Sequence, residues 1–143
     1  MNTSNKKNNY FILFALLFAG LGILIASEEE ATESVMAKLM EFKEQGFVNV
    51  RGERRGFLEK QGTLKQRIKL YKGQEYLAIV SGDSDVEKVQ VIILNKKGKE
   101  VARSDGGTKT ASITYIPEKK DKYSFIIEAP GKGGYYQFSL VTK

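Results

Sequence analysis

From about Gly62 to Val141 apolar and polar residues alternate in short runs broken by glycine- and lysine-rich turns. In residues 64–70, Leu64, Ile68 and Leu70 fall on one face and Lys65, Arg67 and Lys69 on the other. That alternation predicts a half-buried strand with a solvated basic face. Residues 76–80 are apolar on both faces, which predicts a central strand covered on both sides. Val89, Val91 and Ile93 alternate inward up to a hairpin turn at Asn95-Lys96-Lys97-Gly98. Val101 marks a short strand before the Asp105-Gly106-Gly107 turn. Ala111, Ile113 and Tyr115 repeat the inward pattern until Pro117, which cannot donate to a ladder, ends it. Tyr123, Phe125 and Ile127 follow, then Tyr136, Phe138 and Leu140. Residues 47–50 and the stretch from Phe57 predict two further short strands, with a polar loop over 51–56. Strands at this turn spacing, with no room for helical crossovers, predict a sandwich or barrel.

Ahead of the strands the period changes. Val35, Met36, Leu39, Met40 and Phe42 make an apolar stripe at near-helical spacing. A helix over 28–45 is expected, with Ser27 and Glu30 as a capping box and Gly46 as its terminator. The stripe has three readings: packing on the β-domain, pairing with a partner or a second copy, or a loose spacer from the membrane. Earlier still, Lys6 and Lys7 precede an unbroken apolar run, Phe11 to Ala26, which Ser27-Glu28-Glu29-Glu30 ends. This is the layout of a secretory signal peptide, and the run is shorter than the roughly 20 residues of a spanning helix. The expected organisation is a signal peptide or membrane anchor over 1–27, an acidic helix over 28–46 and a β-domain over 47–143. The protein is expected in the periplasm or secreted. If the signal is not cleaved, residues 11–26 anchor it in the inner membrane.

Composition narrows the chemistry. The 143 residues include neither histidine nor cysteine. Histidine-dependent nucleophilic triads and thiol chemistry are excluded, zinc and copper lose their preferred ligands, and lipoprotein acylation has no acceptor. The core must also stand without disulfides. The net charge of +6 is unevenly spread. Residues 28–46 hold six acids and two lysines, whereas 47–143 hold nineteen cations and eleven acids. A basic domain behind an acidic helix suits an anionic partner or a plainly soluble surface.

In order along the chain, Tyr71-Lys72-Gly73-Gln74-Glu75-Tyr76, Ser81-Gly82-Asp83-Ser84-Asp85, Val89–Leu94 with its Gly98 turn, Ile113–Pro117 with Tyr123-Ser124-Phe125, and Gly134–Leu140 resemble the bacterial pre-peptidase C-terminal domain family. The resemblance implies a β-sandwich of jelly-roll type. With the strands and helix read above, the expected fold is all-β: a jelly-roll-type β-sandwich of about 7–9 strands preceded by one N-terminal helix. The resemblance also implies a non-catalytic accessory module of secreted proteins, with calcium and collagen binding in related domains. Where the family often places acids at the start of its central strand, this chain has Lys88 and Gln90.

Three groups of residues are candidates for binding. Asp83, Asp85 and Glu87 stand at i, i+2 and i+4 in one loop, a donor set that suits calcium, or else a turn whose Asp side chains bond nearby amides. Lys96, Lys97 and Lys99, with Lys119, Lys120 and Lys122, form two basic turns, suited to an anionic polymer or to solvent. Tyr71 and Tyr135 fall opposite the inward sets and offer an aromatic platform. No cofactor other than calcium is implied. The expected function is an exported, non-catalytic binding module of the cell envelope, whose partner is an anionic envelope polymer or an envelope or secreted protein, and not nucleic acid. The alternatives are an assembly protein that pairs through its helix and a modulator of a secreted peptidase.

Overall fold

A computed structural model describes residues 27–143. Lys6, Lys7 and the apolar run Phe11–Ala26 lie outside the described residues. Helix α1 spans residues 27–43. Eight strands follow: β1 (Asn49–Leu58), β2 (Thr63–Leu70), β3 (Tyr76–Gly82), β4 (Gln90–Leu94), β5 (Glu100–Arg103), β6 (Thr110–Tyr115), β7 (Asp121–Glu128) and β8 (Gly134–Thr142).

The strands form two four-stranded antiparallel sheets, β1-β8-β3-β6 and β2-β7-β4-β5. The pairs β1–β8, β2–β7, β3–β6 and β4–β5 are nested, as if one long hairpin had been wrapped around itself. This is the jelly-roll arrangement. Between the sheets lies the main core, in which Phe125, Phe138, Ile93, Ile127, Leu140 and Val80 are fully buried. The alternating inward sets expected from the sequence all contribute to it.

A second, smaller core lies on the outer face of the first sheet. Val35, Leu39 and Phe42 of α1, with Phe47, pack on Leu77 and Ile79 of β3 and Val141 of β8. The continuous apolar run of β3 is therefore covered by the opposite sheet on one side and by α1 on the other. Gly46, at φ 94°, ends the helix as expected, and its amide donates to the Lys43 carbonyl.

Three details of the sequence reading are corrected. Residues 49–58 are one ten-residue edge strand, not a strand, a loop and a strand. Its side chains are mostly Arg, Glu, Asn and Gly, so no apolar alternation marks it, and β8 supplies the ladder that holds it. Glu30 does not close a capping box. Its carboxylate accepts from the Ser84 amide at 2.9 Å and the Lys109 ammonium at 2.7 Å, tying α1 to the ends of β3 and β6. Met36 and Met40 do not join the buried stripe, since both are more than half exposed. The buried face of α1 instead runs through Ala31, Val35, Leu39 and Phe42.

Candidate functional site

The outer face of the second sheet is built by the register of its strands. In β2, Leu64 and Ile68 lean against the core, so Lys65, Arg67 and Lys69 must point outward. They pair laterally with Ile126, Ser124 and Lys122 of β7. The turn between β4 and β5 rises beside them. There Asn95 Oδ1 accepts from the amides of Lys97 and Lys99, at 2.9 and 3.0 Å. Gly98, at φ 79°, takes the left-handed position that reverses the chain. The turn between β6 and β7 delivers Lys119 and Lys120 to the same end of the sandwich.

Together these segments line an open cleft of about 600 Å³. Lys65, Arg67, Lys69, Lys96, Lys120 and Lys122 surround it, with Asp121 as the one acid. A second hollow of about 590 Å³ adjoins it and shares Asn95, Lys96 and Asp121. Lys97, Lys99 and Lys119 line this second hollow, together with Tyr115 and Tyr123. All six lysines singled out from the two turns thus reach one or other of two neighbouring clefts. Three more cations, Lys65, Arg67 and Lys69, join them. Sequence alternation had marked these three only as a solvated strand face, because nothing local in the sequence says which turns stand beside β2.

Electrostatically the cleft is open-handed. Among the described residues Lys96 is the only one of the six cleft cations in an ion pair, and its partner Asp121 is 4.0 Å away. Tyr71 stands at the rim, nearly half exposed, with Lys120 Nζ 5.1 Å and Lys69 Nζ 6.0 Å from its ring centre. In the second hollow, burial and the hydrogen bond with Tyr123 push the Tyr115 phenol up to about 12. Tyr115 therefore stays protonated at neutral pH and offers no base. Ammonium and guanidinium groups on a flexible rim attract anions and orient them by hydrogen bonds.

The other two candidate groups lie elsewhere. Tyr135 is on the outer face of the first sheet, where its ring meets Phe57 edge-on at 5.3 Å, so it does not join Tyr71. Asp83 is buried. Its carboxylate accepts the amides of Asp85 and Tyr135, both at 3.1 Å, and its own amide donates to the Tyr135 carbonyl. Asp85 and Glu87 are exposed. Among the described residues no three carboxylates stand close enough to hold a metal ion, so Asp83, Asp85 and Glu87 are not drawn together as a ligand set. The Asp83 carboxylate instead pins the loop after β3 to the start of β8.

No known family model matches the sequence, and neither does any curated protein. Solved structures do match the fold. PliG, a periplasmic lysozyme inhibitor of g-type lysozyme from Aeromonas hydrophila, superposes with a TM-score of 0.53 at 12% identity, over 69% of this chain and 90% of its own. The pre-peptidase C-terminal domain of a collagenase from Bacillus anthracis gives 0.53 at 12% identity, over 65% and 90%. The mitogen of Yersinia pseudotuberculosis gives 0.52 at 14%, over 66% and 86%. At these identities the likeness is one of fold. Among the described residues no helix is long and apolar enough to cross a membrane.

Proposed function

We propose that the protein is an exported, non-catalytic binding module of the cell envelope, and that an anionic polymer lies along the outer face of the second sheet. The observation that carries this reading is the convergence of six cations in one open cleft with a single carboxylate among them. They come from two neighbouring strands, β2 and β7, and from two turns. A merely solvated surface needs no such convergence. An anionic chain gains from it, because adjacent same-face cations on β2 repeat about every 6–7 Å and can meet successive charges.

The chain's lack of histidine and cysteine supports a non-catalytic role. Export is supported by Lys6, Lys7 and the Phe11–Ala26 run. PliG, a periplasmic lysozyme inhibitor, is a precedent for this fold in a protein whose role is inhibition of another protein. Pairing through the helix is less favoured, because Val35, Leu39 and Phe42 are spent on β3 and β8.

The test is sedimentation of the purified protein with isolated cell envelope, comparing wild type with Lys65→Glu/Lys69→Glu/Lys120→Glu. Retention of wild type at low salt and loss in the variant is the expected result. Equal retention of both proteins would overturn the reading.

A further inference from the structure

The opposite side of the molecule carries a trough of different chemistry. It runs between α1 and β1 and encloses about 400 Å³, within the range of about 300–1,000 Å³ typical of small-ligand pockets. Its floor is β8, through Gln137 and Ser139, and its walls are Val35 and Met36 on one side and Glu53 and Arg55 on the other. Register sets this order. Glu53 faces Ser139, Arg55 faces Gln137 and Phe57 faces Tyr135 across the β1–β8 ladder.

Three features point to a ligand. The first is Gln137, a residue 7% exposed, whose buried Oε1 has no hydrogen-bond partner among the described residues. A buried carbonyl without a donor is costly, and a ligand N–H or O–H would satisfy it. Secondly, Phe57 is 61% exposed and stands edge-on to Tyr135, one same-face step of about 6–7 Å beyond Arg55 and Gln137. A large exposed ring beside a polar trough is a stacking surface. The third is charge. Glu53 stands beside Arg54 and Arg55, so the trough carries both signs and a much smaller positive excess than the basic cleft. Glu53 already receives the Ser139 hydroxyl.

We propose that this trough binds an oligosaccharide containing N-acetylhexosamine. An acetamido group matches the inner end. Its N–H donates to Gln137 Oε1, and its methyl rests against Val35 and Met36. Hydroxyls of the same sugar meet the Arg55 guanidinium and the Glu53 carboxylate. The neighbouring sugar ring lays its C–H face on Phe57. A flat ring with one apolar face, polar edges and a small amide ending in a methyl group fits these demands, and the mixed charge of the trough suits an uncharged chain. This site is independent of the basic cleft on the far side of the sandwich.

The experiment compares two tetrasaccharides that differ in the acetamido group, chitotetraose and cellotetraose, by titration of the purified protein with amide chemical shifts as readout. Chitotetraose is expected to move the amides of Phe57, Tyr135, Gln137 and Met36, and to bind at least about tenfold more tightly than cellotetraose. Gln137→Leu should reduce chitotetraose to the affinity of cellotetraose. Phe57→Ala and Met36→Ser are exposed changes that keep the fold, and each should weaken binding several-fold even if Gln137→Leu fails to fold. Lys65→Glu with Lys69→Glu should leave this binding unchanged, which separates it from the anionic polymer. Equal affinity for the two sugars would overturn the acetamido assignment. No binding of chitotetraose up to about 10 mM, or shifts confined to the lysine face, would overturn the site itself.

Discussion

Phe125 and Asp83 show two different ways in which single residues hold this sandwich. Phe125 is fully buried, with its ring 5.8 Å from that of Phe138 across the core. Phe125→Ala removes that contact and leaves a cavity, so it should destabilise by about 3–5 kcal/mol in denaturant melts. Asp83 acts through hydrogen bonds. Asp83→Ala leaves the amides of Asp85 and Tyr135 without their acceptor and should cost about 1–3 kcal/mol. That cost should be the same with or without millimolar calcium, because the carboxylate is already engaged by amides. A rise in melting temperature with calcium in the wild type alone would contradict this assignment. Tyr115 gives a third residue-level expectation. Its phenol is pushed up to about 12 in the folded protein by burial and by Tyr123, while an unfolded tyrosine titrates near 10. The folded state therefore keeps a proton that the unfolded chain loses. The resulting stability is intact below about pH 10 and drains away as pH rises toward about 12. Burial raises the Tyr136 phenol as well. Absorbance titration of the phenolate should therefore find a late-titrating fraction, and Tyr115→Phe should reduce it without abolishing it.

At the level of elements, the docking of α1 decides how the first sheet is finished. Leu77, Ile79 and Val141 would face water without it. The helix is also clamped at its start, where Glu30 meets Lys109 and the Ser84 amide. The hydrogen bond from Lys109 holds the Glu30 carboxyl below the usual glutamate range. A depressed carboxyl stabilises the fold above its unfolded pKa and loses that contribution as pH falls through its folded value. Acidification below the ordinary glutamate range should therefore loosen the start of α1 before the sandwich melts. Hydrogen exchange of residues 27–35 should show that loss, and Glu30→Gln should show it already at neutral pH. How legible each element was follows from where its side chains go. The run from Tyr76 to Val80 could be read as central because it is apolar on both sides, and one of those sides proved to belong to α1. Strand β1 could not be read, because an edge strand faces solvent on much of its surface and needs no apolar alternation. Its arginines and glycines look like a loop until β8 is placed beside them. The lysine turns were visible as charge runs, but their meeting with Lys65, Arg67 and Lys69 depends on nested long-range pairing that no local window contains. Gln137 gave no signal at all, since only the finished trough leaves its carbonyl without a donor.

For the whole molecule, the sandwich separates two unlike surfaces. One side carries α1, the acidic segment and the trough along β1. The other carries the lysine cleft, in a domain with nineteen cations and eleven acids. If the cleft works by charge, its binding must be screened. The Debye length falls from about 10 Å at 0.1 M salt to about 3 Å at 1 M, and exposed pairs weaken accordingly. Retention on isolated envelope should therefore fall steeply between those concentrations. The two turns and the strand should contribute separately. Lys96→Glu/Lys97→Glu/Lys119→Glu/Lys120→Glu and Lys65→Glu/Arg67→Glu/Lys69→Glu should each weaken retention and flatten its salt dependence. Neither should move the melting temperature much, because solvated side chains away from the core usually change stability by about 0.5 kcal/mol or less. The comparison also distinguishes the two faces. Phe57→Ala, on the far side, should leave the salt-dependent retention intact. Retention that resists both salt and the seven charge reversals would remove the electrostatic mechanism and leave the trough as the contact that holds the protein to the envelope.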